Sequence, residues 1–198
     1  PVSNFIERYG KIALLILLLI GLYRIADIVM GVVANIFYLD KGYNVREIAT
    51  YSKFFGVFAT IVGGIIGGYS AIKIGTLRAL FIGALIAAAS NLLFAWLAVS
   101  EPNIDILITV ITADNISSGF AGAAFVVYLS ALTSIKFTAT QYALFSSLML
   151  LLPKVLAGYS GTMVDQMGYA NFYIFTAIIG IPVLLLIFWI ARIAPIKE

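Results

Sequence analysis

Residues 12–38 read IALLILLLIGLYRIADIVMGVVANIFY, a run with a single cation, Arg24, and a single acid, Asp27. A helix that crosses the hydrocarbon of a bilayer needs about 20 apolar residues at ~1.5 Å of rise each. This run exceeds that length, so it is predicted to span a membrane. Five further runs of the same kind follow, at residues 47–71, 77–99, 104–133, 138–164 and 169–193. The connections between them are short, which makes sequential helices antiparallel neighbours and leaves no room for a separate soluble domain. The predicted fold is an all-α membrane protein, with residues 1–198 forming one bundle of six transmembrane helices.

The composition agrees with lipid as the solvent. Of the 198 residues 63% are apolar and 11% charged, and the mean hydropathy is +1.09; a water-soluble domain is nearer half apolar and a quarter charged. The absence of cysteine and histidine removes disulfides, thiol nucleophiles, imidazole bases and His-ligated metals. Neither a metal nor an organic cofactor is expected, and the remaining acids and amines lie on different helices without a catalytic motif, so the chain is not read as an enzyme. A net charge of +3 would point to nucleic acid in a soluble protein; here the cations flank apolar runs, and nucleic-acid binding is not expected. The chain begins at Pro1 without an initiator methionine, and no cleavage site follows its first apolar run. An excised portion of a longer chain is the expectation.

Six spans put both termini on one side. That side collects Arg8, Lys11, Lys73, Arg78, Lys136, Arg192 and Lys197, against Lys41 and Arg46 on the other, so both termini are expected to be cytoplasmic. Two loops also echo each other. Gly68 and Gly75 bracket six residues between spans two and three, and Gly161 and Gly168 bracket six between spans five and six. The offset is three spans, an odd number, which is the signature of an inverted 3+3 repeat.

Five charges fall inside spans: Arg24, Asp27, Lys53, Asp114 and Lys154. A charge at mid-bilayer costs about 2.5–3.5 kcal/mol on insertion scales, so such groups face a bundle interior or an aqueous cavity. Arg24 and Asp27 are three residues apart on one helical face, which continues through Gly31, Asn35 and Tyr38. That stripe reads either as a cavity wall, with Asp27 exchanging a proton and Arg24 meeting an anionic substrate, or as a structural ion pair; its length favours the cavity. Asp114, with Asn115 beside it, lies about 15 Å into span four at ~1.5 Å per residue, among small and polar neighbours, with Tyr128 further along the same face. Lys154 follows Pro153, which is expected to kink span five, and shares a face with Thr140 and Ser147. Lys53 sits only about 9 Å inside span two and is expected to snorkel to the interface. The Gly63, Gly64, Gly67 and Gly68 cluster is expected to serve helix packing, and Trp189 to anchor the chain at the interface.

Gly68, Lys73, Gly75 and Arg78 stand in register with the loop motif Gly-x-x-x-Asp-[Arg/Lys]-x-Gly-x-[Arg/Lys]-[Arg/Lys], with Ile72 in place of the aspartate. Elsewhere the chain carries Tyr23-Arg-Ile-Ala-Asp27, Phe37-Tyr-Leu-Asp-Lys-Gly-Tyr43, Ala113-Asp-Asn115, Thr138-Ala-Thr-Gln-Tyr-Ala-Leu-Phe-Ser-Ser147, Ser160-Gly161 and Asp165. The loop motif resembles that of the major facilitator superfamily, and the combination resembles the carboxy-terminal six helices of AmpG-type muropeptide permeases, a family shared with acetyl-CoA transporters. The resemblance implies one half of a transporter that imports anhydro-muropeptides, cell-wall turnover fragments, across the bacterial inner membrane with protons as the coupling ion. It also implies a partner: the amino-terminal six helices, with which this half would complete a cavity for a glycopeptide. On that reading Asp27 and Asp114 exchange protons. Arg24, Asn35, Asn115, Tyr128, Thr140, Gln141, Ser147 and Lys154 contact substrate, and the loop at Gly68, Lys73, Gly75 and Arg78 gates. The alternatives are a transporter of acetyl-CoA or another anionic metabolite, and a non-transporting membrane assembly subunit.

Overall fold

A computed structural model of the chain describes residues 2–133 and 137–193; Lys136 and Lys197, two of the cations used above for orientation, lie outside them. The described residues are helical almost throughout and contain no strand. Six helical stretches are long and apolar enough to cross a membrane: Phe5–Asp40, Val45–Ile74, Thr76–Val99, Ile104–Leu132, Thr138–Ala157 and Ser160–Ile193. We call them spans one to six, span five running on past Ala157 to Gly168 and span six from Tyr169 to Ile193. Large apolar side chains such as Leu14, Ile61, Ile65 and Leu185 are exposed along them, which is costly in water and neutral in lipid.

Contacts along span one fix the course of the last third of the chain. The Phe145 ring lies 5.0 Å from Phe5, the Ser160 hydroxyl donates to the Val29 carbonyl, and Tyr169 donates to Asp40 at 2.6 Å. Residues 145–169 therefore rise beside residues 5–40 in the same direction. Tyr173 then meets Phe37 at 5.0 Å, and Gly180 lies near Ala26, so the chain descends again. The reversal is at Gly168, whose φ of 75° and ψ of 162° break the helix Ser160–Ile178. The interruption at Gly158–Tyr159 lies within the rising segment, a few residues after Pro153.

Gly75, which separates the helices Gly56–Ile74 and Thr76–Val99, has φ 93° and ψ 147°. The second glycine of each six-residue loop thus takes the same backbone conformation, one open at little cost only to glycine. Gly68 and Gly161, the first of each pair, have nothing within 4 Å of the position a β-carbon would take.

Spans two and four pack most closely. A β-carbon at Gly63 would overlap the Ile116 backbone, one at Gly67 the Phe120 backbone, and one at Gly119 the Thr60 backbone. Reciprocal glycines let the two backbones approach as no larger residue could. At the end opposite the termini, Phe37, Phe94 and Tyr173 join spans one, three and six, with ring centroids 5.0–6.5 Å apart. The loops at that end are also tied together: Tyr43 Oη contacts the Asn103 backbone, and Lys41 Nζ donates to the Ala98 carbonyl at 2.8 Å.

Candidate functional site

Span one is not one continuous helix. It stops at Leu22 and restarts at Ile25, with Tyr23 and Arg24 in a turn between. Tyr23 holds the break in place: its ring stacks on Phe125 at 4.6 Å, and its hydroxyl donates to the Leu80 carbonyl at 3.2 Å. The new helix begins with Asp27 in its first turn, where the backbone N–H groups give a positive end that favours an acid. Discontinuous helices inside membranes are tolerated where their freed backbone lines a cavity.

Such a cavity lies beside the break, with a volume of about 260 Å³. Span one contributes Arg24, Asp27, Gly31, Asn35 and Tyr38, span four Asp114, Asn115 and Ser118, and span two Ser52 and Lys53. Arg24 Nε lies 3.0 Å from Asp27 Oδ2, with the two side chains 22% and 11% exposed. A second guanidinium nitrogen donates to Ser118 Oγ at 3.0 Å, and a third lies where a β-carbon on Gly122 would press against it. Arg24 is thus held from spans one and four together.

Asp114 is less well served. Ser90 Oγ approaches its Oδ1 at 3.5 Å, but that hydroxyl has one proton and lies 2.8 Å from the Ala87 carbonyl, so the longer contact is weak. Ser117 continues the polar cluster, donating to the Asp114 carbonyl at 2.8 Å and reaching Ser90 at 3.1 Å. Asn115 is fixed by its amide bond to the Ile111 carbonyl and by the Thr60 hydroxyl, 3.0 Å from its Oδ1.

The structure therefore gathers Arg24, Asp27, Asn35, Asp114 and Asn115 around one hollow. The remaining sequence candidates lie elsewhere. Thr140, Ser147 and Lys154 are exposed along span five, the Ser147 hydroxyl turned back onto the Ala143 carbonyl. Gln141 is buried. Tyr128 is fully buried beside Phe125, away from the cavity wall. In the loop, Lys73 sits over the Tyr69 ring at 5.7 Å and Arg78 is exposed.

Three polar wall residues, Ser52, Lys53 and Ser118, were not site candidates in the sequence reading. Ser118 is one helical turn beyond Asp114, and that spacing was a usable signal. Lys53, expected to snorkel, is exposed and is also among the residues that line the cavity. Gly56 and Thr60, further along span two, face Asn115. Residues Ala49–Phe55 form a π-helical stretch, a widening that recurs at functional sites.

A broken helix, a paired and an unpaired carboxylate and two cations around a cavity within the spans define a multi-pass membrane protein with a charged interior site. No family profile matches the chain. Curated relatives do. "Putative transporter AmpG 4" of Rickettsia felis is 34% identical over 192 residues, 97% of this chain and 46% of its own length. "Putative transporter AmpG 1" of Rickettsia bellii is 37% identical over 188 residues, 94% and 46% respectively. The protein of that name in Rickettsia prowazekii is 38% identical over 174 residues, 88% and 39%. The chain spans a little under half the length of these relatives, and it matches one half of proteins named as AmpG transporters. Those names describe carriers, not enzymes.

Proposed function

We propose that the chain is the carboxy-terminal half of a proton-coupled importer of anhydro-muropeptides, acting as a single six-helix bundle in the bacterial inner membrane with both termini cytoplasmic. The observation that carries this reading is the convergence of Arg24, Asp27 and Asp114 on one cavity beside a broken span. The similarity to AmpG transporters supports the cargo.

The pair supplies a coupling device. With Asp27 ionised, Arg24 is held at 3.0 Å and its charge is spent inside the protein. A proton arriving on Asp27 releases the guanidinium, which keeps its Ser118 anchor and turns its free donors to a substrate carboxylate. Each event favours the other, so proton and anion binding are positively linked. Asp114, nearby on span four, offers a second proton site, and Asn35 and Asn115 offer hydrogen bonds to sugar or peptide groups. Thr140, Gln141, Ser147, Lys154 and Tyr128 would act only as the cavity is extended, and the other half of the transporter would complete it.

The test is uptake of labelled anhydro-muropeptide into vesicles carrying the transporter, with and without an imposed pH gradient. Uptake that accelerates on acidifying the outside supports the reading. Equal uptake under both conditions removes proton coupling, and no uptake removes the cargo.

A further inference from the structure

A second cavity lies between the start of span three and the end of span six. Its volume is about 460 Å³, and Leu77, Phe81, Ile187, Phe188 and Ala191 form its apolar walls, with Arg78 as the charged residue among them. Arg78 is exposed, in the first turns of the helix Thr76–Val99. Arg192 belongs to the last turn of Ile181–Ile193, and its guanidinium lies 4.3 Å over the ring of Phe188, on the cavity wall. Span three begins and span six ends at the same face of the bundle, so Arg78 on the groove wall and Arg192, over the Phe188 ring that lines it, belong to the same end of the groove. Among the described residues the ion pair between side chains is Arg24–Asp27, so neither arginine here has a carboxylate within bonding distance.

In a membrane-spanning protein this groove opens toward acyl chains, and a pair of guanidinium groups at its mouth matches a phosphate in geometry and charge. Basic pockets between transmembrane helices are of the kind that hold anionic head groups. We propose that the groove is a binding site for an anionic phospholipid, with an acyl chain along Leu77, Phe81 and Ile187 and the phosphate between Arg78 and Arg192. Charge complementarity decides the occupant: a zwitterionic lipid would leave its ammonium beside two cations. The site shares no lining residue with the cavity beside Asp27.

Tryptophan fluorescence tests this. The chain has two tryptophans; Trp189 neighbours Phe188, and Trp96 lies near the far end of span three. A Trp96→Phe variant leaves Trp189 as the reporter. The protein, purified and reconstituted in mixed vesicles, is titrated with brominated phosphatidylglycerol or brominated phosphatidylcholine as quencher. Phosphatidylglycerol is expected to associate more tightly by on the order of 25-fold, with about five-fold lost for each arginine changed to glutamine. Lysine at both positions should restore most of the preference. Equal quenching by the two lipids, or a preference that survives the double Arg78→Gln and Arg192→Gln change, overturns the proposal. Reversal of the preference by inorganic phosphate makes the ligand a free anion and overturns the lipid, as does a dimer of this chain that excludes the quencher.

Discussion

Arg24 and Asp27 form an ion pair of 3.0 Å across the point where a transmembrane helix restarts. The pair lies at the wall of a cavity, with Arg24 Nε and Asp27 Oδ2 buried while the two side chains are 22% and 11% exposed. Removing one partner of a fully buried pair costs ~3–5 kcal/mol. Here the cavity and the Ser118 bond to Arg24 soften the loss.

A double-mutant cycle should show this. Arg24→Gln is expected to destabilise the protein by about 1–3 kcal/mol, below the buried-pair range because the site borders a cavity. Adding Asp27→Asn should recover part of that loss, since no unpaired carboxylate then remains. Thermal unfolding of the four proteins in detergent reads the coupling; strictly additive losses would show that the two side chains do not depend on each other.

The glycines between spans two and four make a sharper structural prediction. Gly63→Leu or Gly119→Leu must push the two backbones apart, because even a β-carbon overlaps the facing chain. Overpacking typically costs 1–3 kcal/mol, and direct backbone overlap should place these variants at the top of that range or prevent assembly. Gly68→Ala, with nothing within 4 Å, should fall within about 0.5 kcal/mol of the parent. Folded yield by size-exclusion chromatography separates the two groups.

Gly75 and Gly168 should behave alike. Both hold positive φ with extended ψ, so alanine at either is expected to cost about 1–3 kcal/mol of backbone strain. Gly161→Ala, in a position with ordinary φ and open space, should cost far less. Melting temperatures that dropped for one of the pair alone would argue against equivalent turns.

Lys53 provides a test of the cavity's sign. It is among the residues that line the hollow, and its ammonium has no carboxylate within 4.0 Å among the described residues. If anionic cargo enters there, Lys53→Met should raise the KM for uptake by roughly ten-fold, the ~1.4 kcal/mol of one charge-assisted contact, and leave kcat within a factor of about two. Lys53→Arg should restore affinity. A KM unchanged by Lys53→Met would remove this residue from the binding surface.

Much of this was legible in the chain because lipid imposes a simple rule. Apolar runs such as residues 77–99 had to be helices, and the helix Thr76–Val99 follows. The stripe Arg24, Asp27, Gly31, Asn35, Tyr38 announced one cavity wall because helical periodicity aligns residues of a single span. What periodicity does not contain is the rotation of one span against another. Tyr128 shares the face of Asp114 in register, yet it lies under Phe125 in the core, since different neighbours cover that face at different depths. The break at Tyr23–Arg24 was also hidden, because no proline marks it. Contacts from spans three and four, Leu80 and Phe125, hold the turn. The place of Lys53 on the cavity wall was hidden for a related reason: its depth in the membrane pointed to the interface and gave no sign of which neighbouring span it meets.

The central claim is that the charges within the spans persist because water reaches them. The chain has no cysteine, so single cysteines report access without background. Asn35→Cys and Ser118→Cys place a thiol on the cavity wall, and Ile61→Cys and Leu14→Cys place one on exposed apolar surface. A membrane-impermeant methanethiosulfonate reagent, applied to the transporter in sealed vesicles of each orientation, should label the first two at least ten-fold faster than the second two from one side or the other. Labelling of none of the four, or labelling at Ile61 and Leu14 as fast as at Asn35 and Ser118, would contradict the existence of a wet cavity and the transport reading built on it.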